Sequence, residues 1–388
     1  MTTWKVPQLQ PSLGEREAEA VKECVRSGWI TEGPRCAEFV ERVKTMTGVQ
    51  YGVLAPNGTL ALYLALKACG IGEGWDVVVP DLTFIASATA VIMAGARPTF
   101  SEVNKYGQMS RDDAFGSRHH GEWAYMPVHL YGAASNELPG GMKYHTKSPI
   151  IEDACQGLGV TLNGRPCGSF GKAAAFSFFA DKTITTGEGG FVGTNDADVY
   201  EQLRYLRNQG RLDRGSFIHP QVGQNFRMTD VQAAIGLVQL DRFEEIVARK
   251  RAIYARYAER LSDVVRILEP PPGSSHIPFR AVAFFDTSAR QAEQYLREHG
   301  VEPRSSFYPL HKQPCFSHLM PRVRVSGCPG CEEDSRLGPL APYKDEWFPN
   351  TMQFWEHALC LPVWPDMTAE QVETVCDVVT SFVKEVEA

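Results

Sequence analysis

The sequence predicts an α/β protein with a mostly parallel central sheet flanked by helices and a smaller C-terminal α/β domain. Three observations carry that prediction. Helical and strand patterns alternate up to about residue 245, the order expected when parallel strands are linked by crossover helices. Short apolar runs such as Ser148-Pro-Ile-Ile-Glu-Asp153 read as strands buried on both faces. Finally, Pro270-Pro-Pro-Gly-Ser-Ser275 marks a rigid connection, after which strand and helix patterns resume. The expected division is a large domain over residues 1–245, including the N-terminal segment, and a small one over 246–388.

The elements follow in chain order. Tyr51 to Ala55 reads as a strand, Asn57-Gly58 as a tight turn, and the run to Lys67 as a helix stopped by Gly70. The free backbone N–H groups at the start of that helix, with the Thr59 hydroxyl, suit a phosphate, although strand-turn-helix units are common for other reasons. Phe84, in Pro80-Asp-Leu-Thr-Phe-Ile-Ala-Ser87, can cover a flat ring by stacking or simply join the core. The strand ending at Asp153 puts an acid where ligands collect in open α/β sheets, at the carboxyl ends of strands. By itself that acid could equally cap the next helix.

Lys182 lies in Phe176-Ser-Phe-Phe-Ala-Asp-Lys-Thr-Ile-Thr-Thr-Gly-Glu-Gly-Gly190, after an aromatic strand and among polar and glycine-rich neighbours. A lysine amine becomes a nucleophile when burial or a nearby cation disfavours its charge, so this shaped seat suits a Schiff-base lysine. The plainer reading, a surface lysine before a turn, is outweighed by Asp153 and the Asn57-Gly58-Thr59 turn. Together they match the needs of pyridoxal 5'-phosphate: an amine to hold it, an acid to keep its ring nitrogen protonated, and an anion seat. From Thr229 a long amphipathic pattern begins, with Val231, Ile235 and Val238 and later Phe243, Ile246 and Val247 on an apolar face. Ala281 to Phe285 reads as a strand, Ala289 to His299 as a helix stopped by Gly300, and a last helix starts near Thr368.

Composition excludes other classes. At 388 residues, 43% hydrophobic and 22% charged, the chain can bury substantial cores, and its formal charge of -7 without a basic stripe argues against a nucleic-acid binder. No apolar signal core opens the chain and no run approaches the roughly eighteen apolar residues of a membrane span, so a cytoplasmic protein is expected. Ten scattered cysteines read as reduced thiols. Cys328-Pro-Gly-Cys331 has metal-ligand spacing, with Cys315 and His318 upstream, but lacks the second matched pair of a closed zinc site, so no metal is expected.

The order of these elements resembles the fold type I pyridoxal-phosphate enzymes, and within them the DegT/StrS-like aminotransferases acting on nucleotide-linked keto sugars. The resemblance runs from Pro11-Ser-Leu-Gly14 and Ser27-Gly-Trp-Ile30 through Pro56-Asn-Gly-Thr59, Val128-His-Leu-Tyr-Gly132, Glu152-Asp-Ala-Cys-Gln156, the Lys182 loop and Asn225-Phe-Arg-Met-Thr-Asp230 to Leu361-Pro362. It implies that Lys182 carries the cofactor, Asp153 pairs with the pyridinium nitrogen and Gln156 sits beside the ring. Gly58, Thr59 and Ser177 would hold the phosphate, Phe84 would cover the ring, and Asn225 would reach the phosphate of a neighbouring subunit in a homodimer. Trp29, Tyr308 and His311 would touch sugar or nucleotide; a core anchor and braces for a loop are their plainer readings.

Three features depart from the pattern: Asp181 stands where Asn is usual, Gln224-Asn225-Phe226 replaces a more usual Tyr-Asn-Tyr, and Pro139 to Lys147 is a shortened connection. The resemblance implies amino transfer from L-glutamate to a nucleotide-linked 4-keto-6-deoxy sugar. GDP-4-keto-6-deoxy-D-mannose is favoured over UDP- or dTDP-linked 3- or 4-keto sugars through Trp29-Ile30, the Lys182 surroundings and Phe307-Tyr-Pro-Leu-His311. A sugar dehydratase on the same fold replaces the lysine with histidine, which Lys182 argues against. A non-catalytic regulator would be marked by a lost lysine or an added DNA-binding motif, and neither is present.

Overall fold

A computed structural model describes residues 4–110, 122–137, 148–212, 215, 217–319 and 343–387. Cys328, Cys331 and the Pro139–Lys147 connection lie outside the described residues. Helices α1 (Glu15–Ser27) and α2 (Pro34–Thr47) lead into β1 (Tyr51–Ala55), α3 (Gly58–Ala68), β2 (Trp75–Pro80), α4 (Ala86–Met93), β3 (Arg97–Ser101) and β4 (Glu122–Tyr125). Then come β5 (Ile151–Asp153), the hairpin β6 (Thr161–Leu162) and β7 (Arg165–Pro166), β8 (Ala173–Ser177), β9 (Gly190–Thr194) and α5 (Ala197–Arg207). The chain continues through α6 (Asp230–Asp241), α7 (Phe243–Arg260), β10 (Arg266–Ile267), β11 (Ala281–Phe284), α8 (Ala289–Glu298), β12 (Arg304–Ser305), α9 (Pro349–His357), β13 (Ala358–Leu361) and α10 (Ala369–Phe382).

The ladders β1-β9-β8-β5 and β3-β2-β4 are joined by parallel bridges from Tyr125 to Ile150 and from Val128 to Asp153. The resulting sheet runs β1-β9-β8-β5-β4-β2-β3, and β9 is its antiparallel member. This is the expected mostly parallel sheet, with helices packed on it. Its direction has a consequence for chemistry, because the carboxyl ends of β1, β5 and β8 all open at one edge. There Gly190, at the start of β9, pairs with both Ala55 and Ser177. A Cβ at Gly190 would lie 2.4 Å from the Asn57 carbonyl oxygen, so only glycine allows that approach.

A second, antiparallel sheet of order β10-β11-β13-β12 packs against α8 and α10 around Ala283, Leu296, Leu361 and Val379. Helix α7 links the two bodies: Phe243, Ile246 and Val247 belong to the core beside the large sheet, whereas Ile253 and Tyr257 belong to the second core. The start of the chain also crosses over, since Val6 bridges to Val301 and is buried in that second core. So short an extended segment has no periodicity from which its destination could be read.

Helix α6 differs from the expected pattern. Its buried face is Ala233, Ala234, Gly236, Leu237 and Leu240, while Val231, Ile235 and Val238 are only half-buried. The helix is apolar on most sides, so no single stripe identifies its inner face. Packing chooses the small residues: a Cβ on Gly236 would lie 2.6 Å from the Phe39 ring and 2.8 Å from the Thr186 methyl, so α6 seats directly on α2 and the Lys182 loop.

Candidate active site

The turn after β1 is set by its cap. Asn57 Oδ1 accepts from the Leu60 N–H at 3.0 Å, and Gly70, with φ +78°, ends the helical stretch. The N–H groups of Gly58 and Thr59 have no intrahelical acceptor and remain at the open end. Gly58 is pressed against its neighbours, since a Cβ there would meet Ser177 Cβ at 2.8 Å and Cys155 Sγ at 3.0 Å. The helix start is thereby held against the ends of β8 and β5.

Asp153 closes β5 and is buried. Its Oδ2 accepts from Ser87 Oγ at 2.7 Å, and Oδ1 accepts from the Cys155 N–H at 3.1 Å. Ser87 itself contacts Thr83 Oγ1 at 3.0 Å, so the turn into α4 braces the carboxylate. Phe84 sits on that same turn and is 55% exposed, with its ring edge-on to Phe307 at 6.3 Å between centroids. Gln156 is buried, and its Oε1 accepts from the Tyr131 N–H at 2.8 Å.

Lys182 sits in a loop anchored at several points. The N–H groups of Phe178 and Thr186 donate to Gly189 and to the Phe178 carbonyl, and the Lys182 N–H donates to Phe179 at 3.0 Å. Phe178 is fully buried, edge-on to Phe39 at 5.0 Å. The Lys182 side chain is 15% exposed, with Nζ 3.9 Å from Asp181 Oδ1 and 4.4 Å from the centroid of Phe279. Cys155 connects the two halves of the site: burial first, then the Asp153 charge, pushes its thiol well above the usual range, while Lys182 acts in the opposite sense. Lys182, Asp153, Gly58 and Ser177 therefore converge around one small residue.

Asp181, the departure noted above, is matched by a partner that no local motif signals. Arg280 donates to its Oδ2 at 2.6 Å, and both side chains are buried. Arg304 lies 4.0 Å from the same oxygen. Sequence reading also missed Ser87, which carries no signal beyond its place at a helix start, and Phe279 and Lys250, which approach Lys182 from about seventy to a hundred residues away along the chain.

The remaining expected residues lie outside this cluster. Trp29 is half-exposed, its indole N–H donating to the Glu32 carbonyl at 3.3 Å. Asn225 is exposed near α3, next to Phe226, which meets Tyr63 edge-on at 5.9 Å. Tyr308 packs edge-on to Trp355 at 4.8 Å. His311 is committed elsewhere: Nδ1 pairs with Asp81 at 2.6 Å, Nε2 with Asp345 at 3.0 Å, and the ring stacks on Phe348. In this structure its imidazole braces a loop.

Residues 11–333 match the DegT/DnrJ/EryC1/StrS aminotransferase family. The chain is 34% identical over 383 residues to a GDP-perosamine synthase of Escherichia coli O157:H7, covering 97% of this chain and 98% of that protein. It is 37% identical over 330 residues to a GDP-perosamine synthase of Caulobacter vibrioides, covering 81% and 88% respectively. Among solved structures, a DegT DnrJ EryC1 StrS aminotransferase from Brucella abortus superposes with a TM-score of 0.82 at 28% identity, over 95% of each chain.

Proposed function

The chain belongs to the DegT/DnrJ/EryC1/StrS aminotransferase family, a pyridoxal-phosphate-dependent family of sugar aminotransferases, and from that premise we propose that it moves the amino group of L-glutamate to C4 of GDP-4-keto-6-deoxy-D-mannose, giving GDP-perosamine. The observation that carries the substrate is the similarity, near full length in one case, to two enzymes named GDP-perosamine synthase. Such a product would feed a surface glycan such as O-antigen, assembled from precursors made in the cytoplasm. No helix among the described residues is long and apolar enough to cross a membrane.

The residues at the sheet edge fit the cofactor. The open N-terminus of α3, with Gly58 and Thr59, and Ser177 would hold its phosphate, because unpaired N–H groups and the helix dipole favour an anion there. Asp153, with no cation paired to it among the described residues, would face the ring nitrogen, Gln156 would lie beside the ring and Phe84 over it. Lys182 would be the covalent anchor. When bound, pyridoxal phosphate supplies an electron sink for charge developing at the donor Cα.

The chain's own groups do the rest. Lys182 Nζ removes the proton from the donor Cα and later returns one to the sugar carbon, as a flexible amine in a shielded pocket can. Asp153, fixed by Ser87, keeps its charge aimed at one point and needs no reorganisation during the reaction. Trp29, Tyr308 and His311 lie on the segments that would contact the sugar nucleotide, the last with its imidazole held by Asp81. Binding of the nucleotide would align the carbonyl at a distance from the chemistry.

We further propose a homodimer with shared sites. Its support is the segment before Asn225, where Phe217, Ile218 and Val222 are largely exposed, an arrangement suited to a partner carrying the same surface. The domain division proposed at residues 245 and 246 falls within α7, where that helix passes from one core to the other. The deciding experiment offers GDP-, UDP- and dTDP-linked 4-keto-6-deoxyhexoses and a 3-keto sugar with L-glutamate under one set of conditions. Preference in kcat/KM for anything but the GDP-linked 4-keto sugar would overturn the substrate and leave sugar amino transfer intact.

A further inference from the structure

Helix α7 carries one residue out of keeping with its inner face. Phe243, Ile246, Val247, Ile253 and Tyr257 are buried along it, and Lys250 is buried among them, only 2% exposed. Among the described residues its ammonium has neither a hydrogen bond nor an ion pair. Taking a cation out of water without an anion is costly, so packing alone would favour an apolar side chain here. Burial above all, reinforced by Arg280 and Lys182 and opposed by Asp181, brings Lys250 down to about 7.

Lys250 opens onto a recess that it shares with Asp181 and Lys182, walled by Leu9, Ile246 and Trp364. The recess has room for about one water molecule. Asp181 supplies the matching acceptor: Oδ2 is taken by Arg280 at 2.6 Å, whereas Oδ1 is buried and has no hydrogen-bond partner among the described residues. Lys182 Nζ lies 3.9 Å from that same Oδ1, beyond hydrogen-bond distance. The other polar groups of the wall are engaged: Gln239 donates to the Ser12 carbonyl at 2.9 Å and to Glu17 at 2.8 Å, and Thr185 Oγ1 donates to the Phe178 carbonyl at 3.2 Å. Two amines thus face one free carboxylate oxygen around a space that a single water fills.

We infer that one water in this recess bridges Lys250 Nζ to Asp181 Oδ1, and that Lys250 is a positioning residue which competes with Lys182 for the Asp181 charge. A water that accepts from Lys250 and donates to Oδ1 spans the gap that the ammonium does not close by itself. With Oδ2 committed to Arg280, Asp181 has only Oδ1 to offer the two amines. One proton bound between them can then rest on Lys250 and leave Lys182 as a free amine; without Lys250 it falls to Lys182. The bearing on catalysis rests on the aminotransferase reading, since a base at the donor Cα must be unprotonated.

The charged groups facing Lys250 are Asp181 and Lys182 from the loop and Arg280 from the lead into β11. The segments 9–12 and 363–365 that complete the wall carry no charge. On α7 itself, Arg249 and Arg251 are engaged elsewhere, with Asp366 at 2.8 Å and with the His276 carbonyl at 2.8 Å. Because arginine keeps its proton, the two amines are the groups of this cluster that titrate first as pH rises.

The test follows acetylation of Lys182 by trace acetic anhydride in the full-length, cofactor-free protein as pH is raised, read on the Lys182 peptide by mass spectrometry. The reactivity curve should lie about one pH unit lower in wild type than in Lys250→Met. Lys250→Arg, which keeps the cation, should restore the wild-type curve. In Asp181→Asn the contested charge is gone, and adding Lys250→Met should leave the curve in place. In the loaded enzyme, the acid limb of kcat should move upward in Lys250→Met by the same interval. A crystal structure should show a water within hydrogen-bond distance of both Lys250 Nζ and Asp181 Oδ1. Coincident curves for wild type and Lys250→Met, or a shift of equal size in the Asp181→Asn background, would overturn the competition; a direct contact between Lys250 and Asp181 would overturn the bridge. If Lys250→Met does not fold, Lys250→Gln takes its place. The labelling uses neither cofactor nor substrate, so a wild type that shows the shift yet takes up no cofactor at Lys182 would overturn the aminotransferase mechanism alone.

Discussion

Arg280 donates to Asp181 over 2.6 Å, so the residue immediately before Lys182 is held by a side chain from the second body of the molecule. Both groups are buried, and removing Arg280 leaves Asp181 only the longer contacts to Lys182 at 3.9 Å and Arg304 at 4.0 Å. Arg280→Ala is expected to lower stability by about 3–5 kcal/mol, and Asp181→Asn combined with Arg280→Gln should recover much of that loss. Denaturant midpoints at constant slope measure both. A loss below about 1 kcal/mol for Arg280→Ala would mean that water replaces the guanidinium.

Lys182→Ala should reduce transfer by about 10²–10⁴-fold, the usual range for removing a positioned acid-base group, with loss of covalent attachment added to it. Borohydride treatment of the wild type followed by peptide mapping should place the reduced cofactor on Lys182, and glutamate added beforehand should bleach the yellow colour. Asp153→Asn should retain the fold and the cofactor yet lose most activity, because an amide cannot hold the pyridinium charge. Cofactor recovered on any other lysine would exclude the assignment.

Asn225 tests the shared site. Separately inactive Asn225→Ala and Lys182→Ala proteins should regain activity when mixed and allowed to exchange subunits, since each hybrid restores one complete site. Sedimentation of the wild type as a fully active monomer would remove the basis for that result.

His311 links the turn after β2 to the small body. Burial lowers its imidazole, but Asp81 and Asp345 outweigh burial and raise it above the usual value, while burial raises the Asp81 carboxyl and His311 opposes that rise. Such a group adds stability that is fully present below the unfolded value, near 6.5, and is lost as pH rises through the higher folded value. His311→Gln should therefore destabilise most at mildly acidic pH, by about 3–5 kcal/mol for a broken buried pair. Melting curves of the two proteins should draw together toward alkaline pH; a gap that widens there would refute the ion pair.

Local order in the chain was enough to specify the alternating architecture, the Asn57-capped turn and the acid at the end of β5. Each depends on neighbours within a few residues: a cap three positions before its N–H, or an apolar run bounded by a turn. The Lys182 loop was legible for the same reason, because its aromatic strand, glycines and lysine are contiguous. The tertiary structure alone decided that Arg280 neutralises Asp181, that Ser87 braces Asp153, that Lys250 comes beside Lys182, and that both nitrogens of His311 are occupied. These groups are separated by tens to hundreds of residues, and their pairing arises from the sheet order and the crossing of α7 between two cores. The inner face of α6 was decided in the same way. Where a helix is apolar nearly all round, hydrophobicity cannot orient it, and the closeness of approach at Gly236 does.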